Sequence, residues 1–533
     1  MSNSIDVHNV FAKYFKGTEA LAYAVSQKLE EGSICLDAEK YIEEMEKITD
    51  PGVAKAANPF WNDVGHFRKQ MQEGHFVTHD PSVLKPFIVD NGLVYLQRYH
   101  RYETSIEENI KRLGKNFFII TGGPGTGKTF SVGNRLVEIY KKNPDRKVAL
   151  AAPTGKAAAR MEEAIRDFVH KNESIIPLST QEKLKALHAQ TIHRLLSYIP
   201  NSVFFRHNKE NPLPYDVLVI DEASMIDGAM MAKLLDATGN GTQLFLIGDK
   251  DQLASVEAGS VFGDMCRAKD ADLLNDKVVV KEKVYRTDGV EIIPFSKKII
   301  GGDKDFVMGY KNNDEVVIDK PTDGNYSNTL FKAEVAHYSE YIEVEDIKEA
   351  LKNLNKVRVL CVTREHDHSV AETNKRIEKL LAEKYKGTNL FSPKAGFYHN
   401  QPIIITKNDY DLGLNNGDVG LIRRNGNEYA AWFEDAQSEN GYKTINAGYL
   451  NHYDTVFAMT IHKSQGSEFD NVVVLLPEKR AQKLLTRELL YTAVTRAKKK
   501  VLIQATPEVL EKCIDATVSR ASGLTQRLNP ESK

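Results

Sequence analysis

Short apolar runs, each ending in polar residues, recur through the middle of the chain. Phe117-Phe-Ile-Ile120 runs into Thr121-Gly-Gly-Pro-Gly-Thr-Gly-Lys-Thr129, and Val148-Ala-Leu-Ala-Ala152 into Pro153-Thr-Gly-Lys156. Val217-Leu-Val-Ile220 runs into Asp221-Glu-Ala-Ser224, and Leu244-Phe-Leu-Ile247 into Gly248-Asp249. Helical stretches such as Phe130 to Lys141 lie between them. Runs that are apolar at every position, alternating with helices, predict parallel strands buried on both faces of an α/β sheet. A second series follows the loop-like segment Lys320 to Asn328: Val357–Val362, Val456–Met459, Val472–Leu476 and Val501–Ile503.

Two regions have another texture. Residues 1 to about 112 read as helix-rich, with an amphipathic run from Ala20 to Leu29 and an aromatic, basic run from Val94 to Glu103. From 396 to 455, Pro402–Ile405, Gly420–Ile422 and Tyr429–Phe433 are short strands split by Asn-Gly and Asp turns. They predict a small β-barrel inserted into the second α/β unit, or an elaborate surface loop. The expected division is 1–112, 113–285, 286–395 with 456–533, and 396–455.

Composition narrows the classes. The 533 residues are 41% hydrophobic and 27% charged, ordinary for a globular chain of several domains. Lys plus Arg total 71 against 73 Asp plus Glu, a net charge of -2, so any nucleic-acid contact must come from a local groove. There is no apolar run of about 18 residues, so no membrane span is expected. Met1 to Phe15 lacks the pattern of a secretory signal. Cys35, Cys266, Cys361 and Cys513 never form a close pair in sequence, which argues against a disulfide framework or zinc site and fits a reducing cytosol.

The chemistry starts at Gly122, Gly123, Pro124, Gly125, Thr126, Gly127, Lys128 and Thr129. This spacing, after a strand and before a helix, is that of a loop whose N–H groups cradle phosphates. Lys128 would reach the β- and γ-phosphates of ATP, and Thr129 would ligate Mg2+. Asp221 and Glu222 end another strand. Asp221 suits the Mg2+ shell, and Glu222 suits positioning and deprotonating a water. Ligands of open α/β sheets bind outside the carboxyl ends of the strands, where both motifs fall.

Six further segments follow in order: Ala152–Arg160, Gln190–His193, Gly248–Leu253, Val284–Thr287, Met459–Gly466 and Tyr491–Arg496. With the nucleotide motifs they resemble the ordered motif set of superfamily 1 helicases, which implies two RecA-like motor domains. The resemblance implies roles. Gln252 would sense the γ-phosphate, and Arg286 and Arg496 would neutralise the transferring phosphoryl group. Glu468 resembles the carboxylate used near the ribose or to couple the sites. Thr154, Lys156, Thr191, His193, Thr460, His462 and Ser464 would contact the DNA backbone, although lone histidines are more often structural.

Within that superfamily the chain resembles the RecD family over most of its length. The resemblance rests on Leu29–Leu36, Pro86–Tyr99, Gln401–Asp418 and Ser519–Leu524. It implies 5′ to 3′ movement on single-stranded DNA, action at duplex ends, and assembly with RecB-like and RecC-like subunits in double-strand-break repair. A stand-alone helicase of the same type is the alternative. It is disfavoured because residues 1 to 110 lack repeated Gly-hydrophobic-Gly hairpins. A non-catalytic subunit is disfavoured by the complete set of catalytic residues. One departure concerns the helix before the phosphate loop. Such motors carry an adenine-recognising Gln about 17 residues before it; here Ser105 stands near that place and the helix looks shortened.

Overall fold

In the computed structural model the described residues are 6–529, except 272, 286, 287, 389, 390, 392–395, 410, 427, 436, 437, 439 and 480. Two parallel sheets dominate. The first has six strands in the order Val278–Lys281, Phe117–Gly122, Gln243–Gly248, Val217–Ile220, Val148–Ala152 and Ala189–Thr191. Every neighbouring pair is parallel, as the unbroken apolar runs predict. Gly122, Gly248 and the residue after Ile220 therefore emerge along one sheet edge.

The second sheet has five strands in the order Val316–Asp319, Ala497–Gln504, Phe469–Leu475, Val357–Cys361 and Ala458–Thr460, again all parallel. The expected strand Val456–Met459 starts two residues later, at Ala458. Tyr453–Thr455 pairs with Gln401–Ile405 of the inserted region, and Ala458–Thr460 joins the motor sheet. The insertion is a five-stranded antiparallel sheet running from Tyr442–Asn446 at one edge to Tyr453–Thr455 at the other. Among the described residues these two edges do not pair, so the ladder is open where a closed barrel was expected.

The front part combines helices with a four-stranded sheet, Cys35–Asp37, Leu93–Leu96, Phe87–Asp90 and Val77–Thr78. The run Ala20 to Leu29 lies in the helix Glu19–Glu30, but Ala20 to Val25 are all buried. That half is enclosed on every side because it passes through the centre of the front core with Phe67, Phe87 and Trp61. The aromatic, basic run splits into the strand Leu93–Leu96 and the helix Gln97–Leu113. This helix is 17 residues long. Its His100, Glu103, Ile106, Asn109, Ile110 and Leu113 are buried, a spacing of three and four that turns one face inward.

The tail also departs from the expected division. It leaves the second motor sheet after the helix Pro507–Asp515 and crosses to the front part and first sheet. Leu524 and Leu528 are fully buried in the same core as Ile34, Leu113 and Cys266. Burying each such side chain stabilises the docking by roughly 1.5–3 kcal/mol. Arg520 donates to the carbonyls of Ser255, Glu257 and Gly259, and Arg527 pairs with Asp90 at 2.6 Å. All four cysteines are unpaired and buried. Among the described residues no helix is long and apolar enough to cross a membrane.

Candidate functional site in the cleft between the motor sheets

The strand Phe117–Gly122 delivers the glycine loop to the sheet edge. A Cβ on Gly122 would lie 2.5 Å from the Lys281 carbonyl oxygen, so no larger residue fits. Gly125 and Gly127 have φ of +70° and +72°, which glycine tolerates without a Cβ clash. The Thr126 hydroxyl closes the turn by donating to the Gly123 carbonyl at 2.8 Å. Gly127 caps the helix Lys128–Lys142, whose unsatisfied N–H groups and positive end face the loop. Lys128 Nζ donates to the carbonyls of Gly122 and, at 3.0 Å, Gly123, so its ammonium lies on the loop itself. Thr129 stands half-buried in the first helical turn.

Asp221 accepts from the Glu222 N–H at 2.8 Å. Burial and the neighbouring Glu222 push its carboxyl up to about 6, against the pull of Lys128 and Arg160. Glu222 itself sits at φ +51°, a left-handed conformation that costs a residue with a Cβ about 1–3 kcal/mol. Such outliers persist where the surroundings hold them, and active sites are common among those places. Next along the edge, Asp249 is buried and accepts from Gln252 Nε2 at 3.1 Å and from the Asp251 N–H at 3.1 Å. Burial raises the Asp249 carboxyl above its ordinary range, while Lys128 and the Tyr491 hydroxyl pull it down.

The second motor sheet closes over these groups. The helix Arg487–Val494 places the Tyr491 hydroxyl 2.9 Å from Asp249 Oδ2, and its Thr492 Oγ1 accepts from the Leu253 N–H at 2.9 Å. Gln465 Nε2 donates to the Leu253 carbonyl at 2.7 Å. In the other direction, Arg160 donates to the Gly466 carbonyl at 2.9 Å and pairs with Glu468 at 3.1 Å, which also faces Lys498 at 3.7 Å. Arg496 is 3% exposed and donates to the carbonyls of Thr492 and Ser467 at 3.1 and 3.2 Å. Burial lowers its pKa, opposed by the charges of Glu222, Glu468 and Asp249, so the guanidinium lies within the field of the nucleotide side. Arg286 lies outside the described residues.

The expected DNA-contacting residues are less uniform. Thr154 and Thr191 cap helices, accepting from the N–H of Ala157 at 3.2 Å and of Arg194 at 3.3 Å. His193 packs edge-on against Phe205 with ring centroids 5.7 Å apart, and burial lowers its pKa. Burial lowers that of His462 as well. Thr460 is buried and accepts from the Lys463 N–H at 3.3 Å. Lys156 does not stand at an open strand end. Its Nζ lies 5.8 Å from the Phe469 ring centroid, and burial with the nearby Arg358 and Arg160 brings it down to about 8. Glu434 and Asp418 of the inserted sheet partly offset that shift. Ser464 corrects the expectation: it is fully buried, and its hydroxyl donates to the Ile461 carbonyl at 2.7 Å. It holds its own turn and cannot face a strand in this arrangement.

Reading the motifs did not assign Asp249, Tyr491, Thr492 or Arg160, though each lies within a quoted segment. Nothing local singles them out among the polar residues of those segments, because their partners are supplied by the other sheet. The chemistry present suits a magnesium nucleotide. The glycine cradle and Lys128 match phosphates. Asp221, its carboxyl raised by a neighbouring carboxylate, would gain from a cation. Gln252 Oε1 and Ser224 Oγ are buried without partners among the described residues. Thr129 and Asp221 are the residues that would hold Mg2+ together with phosphate oxygens and waters.

Comparison with known proteins agrees with this geometry. Residues 107–258 match the AAA domain family, and residues 455–503 match the UvrD-like helicase C-terminal domain. The chain is 34% identical over 551 residues to the RecBCD enzyme subunit RecD of Mycobacterium tuberculosis H37Rv, covering 96% of this chain and 91% of that one. It is 38% identical to the RecBCD enzyme subunit RecD of Mycolicibacterium smegmatis, covering 78% and 73%. It is 29% identical to the ATP-dependent RecD2 DNA helicase of Deinococcus radiodurans, covering 72% of this chain and 46% of that protein.

Proposed function

The chain belongs to the RecD family, and from that premise we propose that it is an ATP-dependent DNA helicase acting in double-strand-break repair as the RecD-like subunit of a RecBCD-type helicase–nuclease. The observation that carries this reading is the cleft. Tyr491 and Arg496 of the second motor sheet meet Asp249 and the field of Glu222 beside the phosphate loop of the first. A site assembled from two sheets makes hydrolysis depend on how they are apposed, and that dependence converts turnover into movement along a strand.

In this reading Lys128 and the glycine loop hold the phosphates, and Thr129 and Asp221 hold Mg2+. The metal, when bound, neutralises phosphate charge. Glu222 takes the proton of the attacking water, and Arg496 stabilises charge in the transition state with its planar fork. Arg286 shares that role. Glu468, held by Arg160 and Lys498, suits coupling between the sheets. Thr154, Lys156, Thr191, His193, Thr460 and His462 line the strand's route and hold backbone phosphates without reading sequence. The motor domains are residues 113–285 and 286–395 with 456–515, 396–455 is a separate inserted module, and the tail beyond 515 docks on the front part and first sheet. Movement is 5′ to 3′, partners are RecB-like and RecC-like subunits, exonuclease activity comes through a partner, and the location is the cytoplasm.

The stand-alone reading is weaker. This chain is 29% identical to the RecD2 relative but 34% identical to the M. tuberculosis RecD subunit. The test is ATP hydrolysis with and without single-stranded DNA, and displacement on 5′- and 3′-tailed duplexes, alone and with co-purified partners. Lys128→Ala should abolish both activities with the fold intact by circular dichroism. Hydrolysis that ignores single-stranded DNA, or survives in Lys128→Ala, would refute the proposal.

A further inference from the structure

The tail crosses from one motor sheet to the other with almost no chain to spare. Val518 still belongs to the second. Its side chain packs against that sheet's core, and its N–H donates to Glu488 Oε2 at 3.0 Å, on the helix Arg487–Val494. Three residues on, Ala521 belongs to the first. It packs against the core shared by the first sheet and the front part, donates to Ser33 Oγ at 3.1 Å and accepts from the Ile34 N–H at 2.9 Å. Between them Arg520 grips the loop that follows Leu253, through the carbonyls of Ser255, Glu257 and Gly259. The dock beyond the crossing is firm. Ser522 Oγ and the Gly523 N–H both donate to Glu103 Oε1, at 2.7 and 3.1 Å. Leu524 and Leu528 are fully buried beyond them. The tail lies so close that a Cβ on Gly523 would collide with the Tyr95 hydroxyl, and one on Gly32 would stand 2.7 Å from Arg520 Cζ. The other chain connection between the sheets is looser. Residues 282–291 separate Lys281, the end of a first-sheet strand, from Ile292 in the second core.

We infer that Val518 to Ala521 form a strap that limits how far the cleft between the motor sheets can open, with Arg520 fastening it to the first sheet. Three residues of extended chain span at most about 11 Å. With both ends anchored, the sheets can turn about the crossing but cannot draw apart there by more than its slack. The crossing lies beside the cleft. Arg520 holds the Ser255 carbonyl, and Leu253, just before it, is where Thr492 and Gln465 of the second sheet meet the first. A short tether also raises the effective concentration of one surface at the other. The strap thereby keeps Tyr491 and Arg496 near Asp249 and Glu222 when no nucleotide holds them there, and biases the cleft toward its closed state. The strap is a statement about domain motion, and only its effect on turnover rests on the ATPase reading above.

The experiment lengthens the strap in the full chain and leaves both docks untouched, by inserting four or eight Gly/Ser residues between Val518 and Ser519. The control carries the eight residues between Pro144 and Asp145, in an exposed turn of the first motor domain. Dyes on Lys141→Cys and Lys348→Cys, one exposed position on each motor domain, report the separation of the sheets by energy transfer. The four native cysteines are buried and stay unlabelled. Closure entropy that scales as (3/2)RT ln n predicts a closed population, relative to open, lower by roughly 3.5-fold for the shorter insertion and roughly sevenfold for the longer. The transfer distribution without nucleotide should broaden and shift in that order, and return to the wild-type form with a saturating non-hydrolysable ATP analogue. The KM for ATP should rise by about the same factors with kcat within about twofold, because nucleotide binding must now supply the closure. Grading with length marks a tether; a damaged dock would not grade and would lower the unfolding midpoint. If the longer insertion fails to fold, the shorter one decides. Transfer distributions equal to wild type in the strap insertions, or an equal shift in the control, overturn the inference. A graded shift upholds the strap even in a chain that does not hydrolyse ATP, a result that would remove only the ATPase reading.

Discussion

The nucleotide cleft and the proposed strand route are built from the same materials, hydroxyls and cations at strand ends, but hold them differently. On the route, Thr154 and Thr191 are fixed by the first turns of the helices they cap, and His193 by Phe205 a few residues on. In the cleft, the Asp249 carboxylate is held by Tyr491, Leu253 by Thr492 and Gln465, and Glu468 by Arg160, each from the opposite sheet. Locally fixed groups keep their geometry whatever the sheets do. Groups fixed across the cleft keep it only while the sheets stay together. A motor needs both: a grip that persists and a reaction centre that comes and goes.

The sharpest way to break this contrast is at Arg496. Arg496→Ala should lower DNA-stimulated kcat by roughly a thousandfold, the scale of an arginine that stabilises phosphoryl-transfer charge. Nucleotide affinity, read with a fluorescent ATP analogue, should change little. Arg496→Lys should recover little turnover, because the ammonium keeps the charge but loses the planar fork. Wild-type turnover in Arg496→Ala would remove this residue from the mechanism.

A smaller effect is expected at Arg160. The Arg160–Glu468 pair is partly exposed, with side chains 38% and 23% accessible, so solvent screens it. Arg160→Ala should reduce stimulation of hydrolysis by DNA about fivefold, equivalent to about 1 kcal/mol of coupling. Combined with Glu468→Gln, the loss should be no greater than for the worse single variant. Strictly additive losses would mean that the two residues act independently.

A last effect, read in stability and not in turnover, concerns Lys156, where the route meets the seam. Its ammonium is brought from the usual 10.5 to about 8 by burial, Arg358 and Arg160, so the native state disfavours the charged form. Between about pH 8 and 10.5 the unfolded chain holds the proton and the native chain does not, so stability rises with pH across that window. Below it both states are charged and the penalty is fully present. Lys156→Met removes the penalty. The gap between variant and wild-type unfolding midpoints should therefore be widest below pH 8 and narrow toward pH 10.5. A gap that stays constant with pH would show that Lys156 titrates normally.

The phosphate loop, the acidic strand end and both parallel sheets were legible because their signals are local. A strand buried on both faces must be apolar throughout, and a backbone that wraps phosphates must have glycine where Gly122 has no room for a Cβ and where Gly125 and Gly127 turn left-handed. The open ladder of the insertion was not legible, because strand propensity does not say whether two edge strands meet. Nor was the return of the tail to the front part, since Leu524 and Leu528 read as apolar wherever they pack. Ser464 was misplaced because a hydroxyl in a motif looks the same whether it faces solvent or the Ile461 carbonyl.

The amino-acid order alone determined that this protein carries a glycine loop of phosphate-cradling spacing and two α/β motor sheets, since spacing of a few residues fixes both. Only the tertiary structure decided which side chains complete the reaction centre. Tyr491 reaches Asp249 across 242 positions of chain, and Gln465 reaches Leu253 across 212. No local pattern encodes such meetings. They follow from how the two sheets pack, and from burial that requires each polar group there to find a partner.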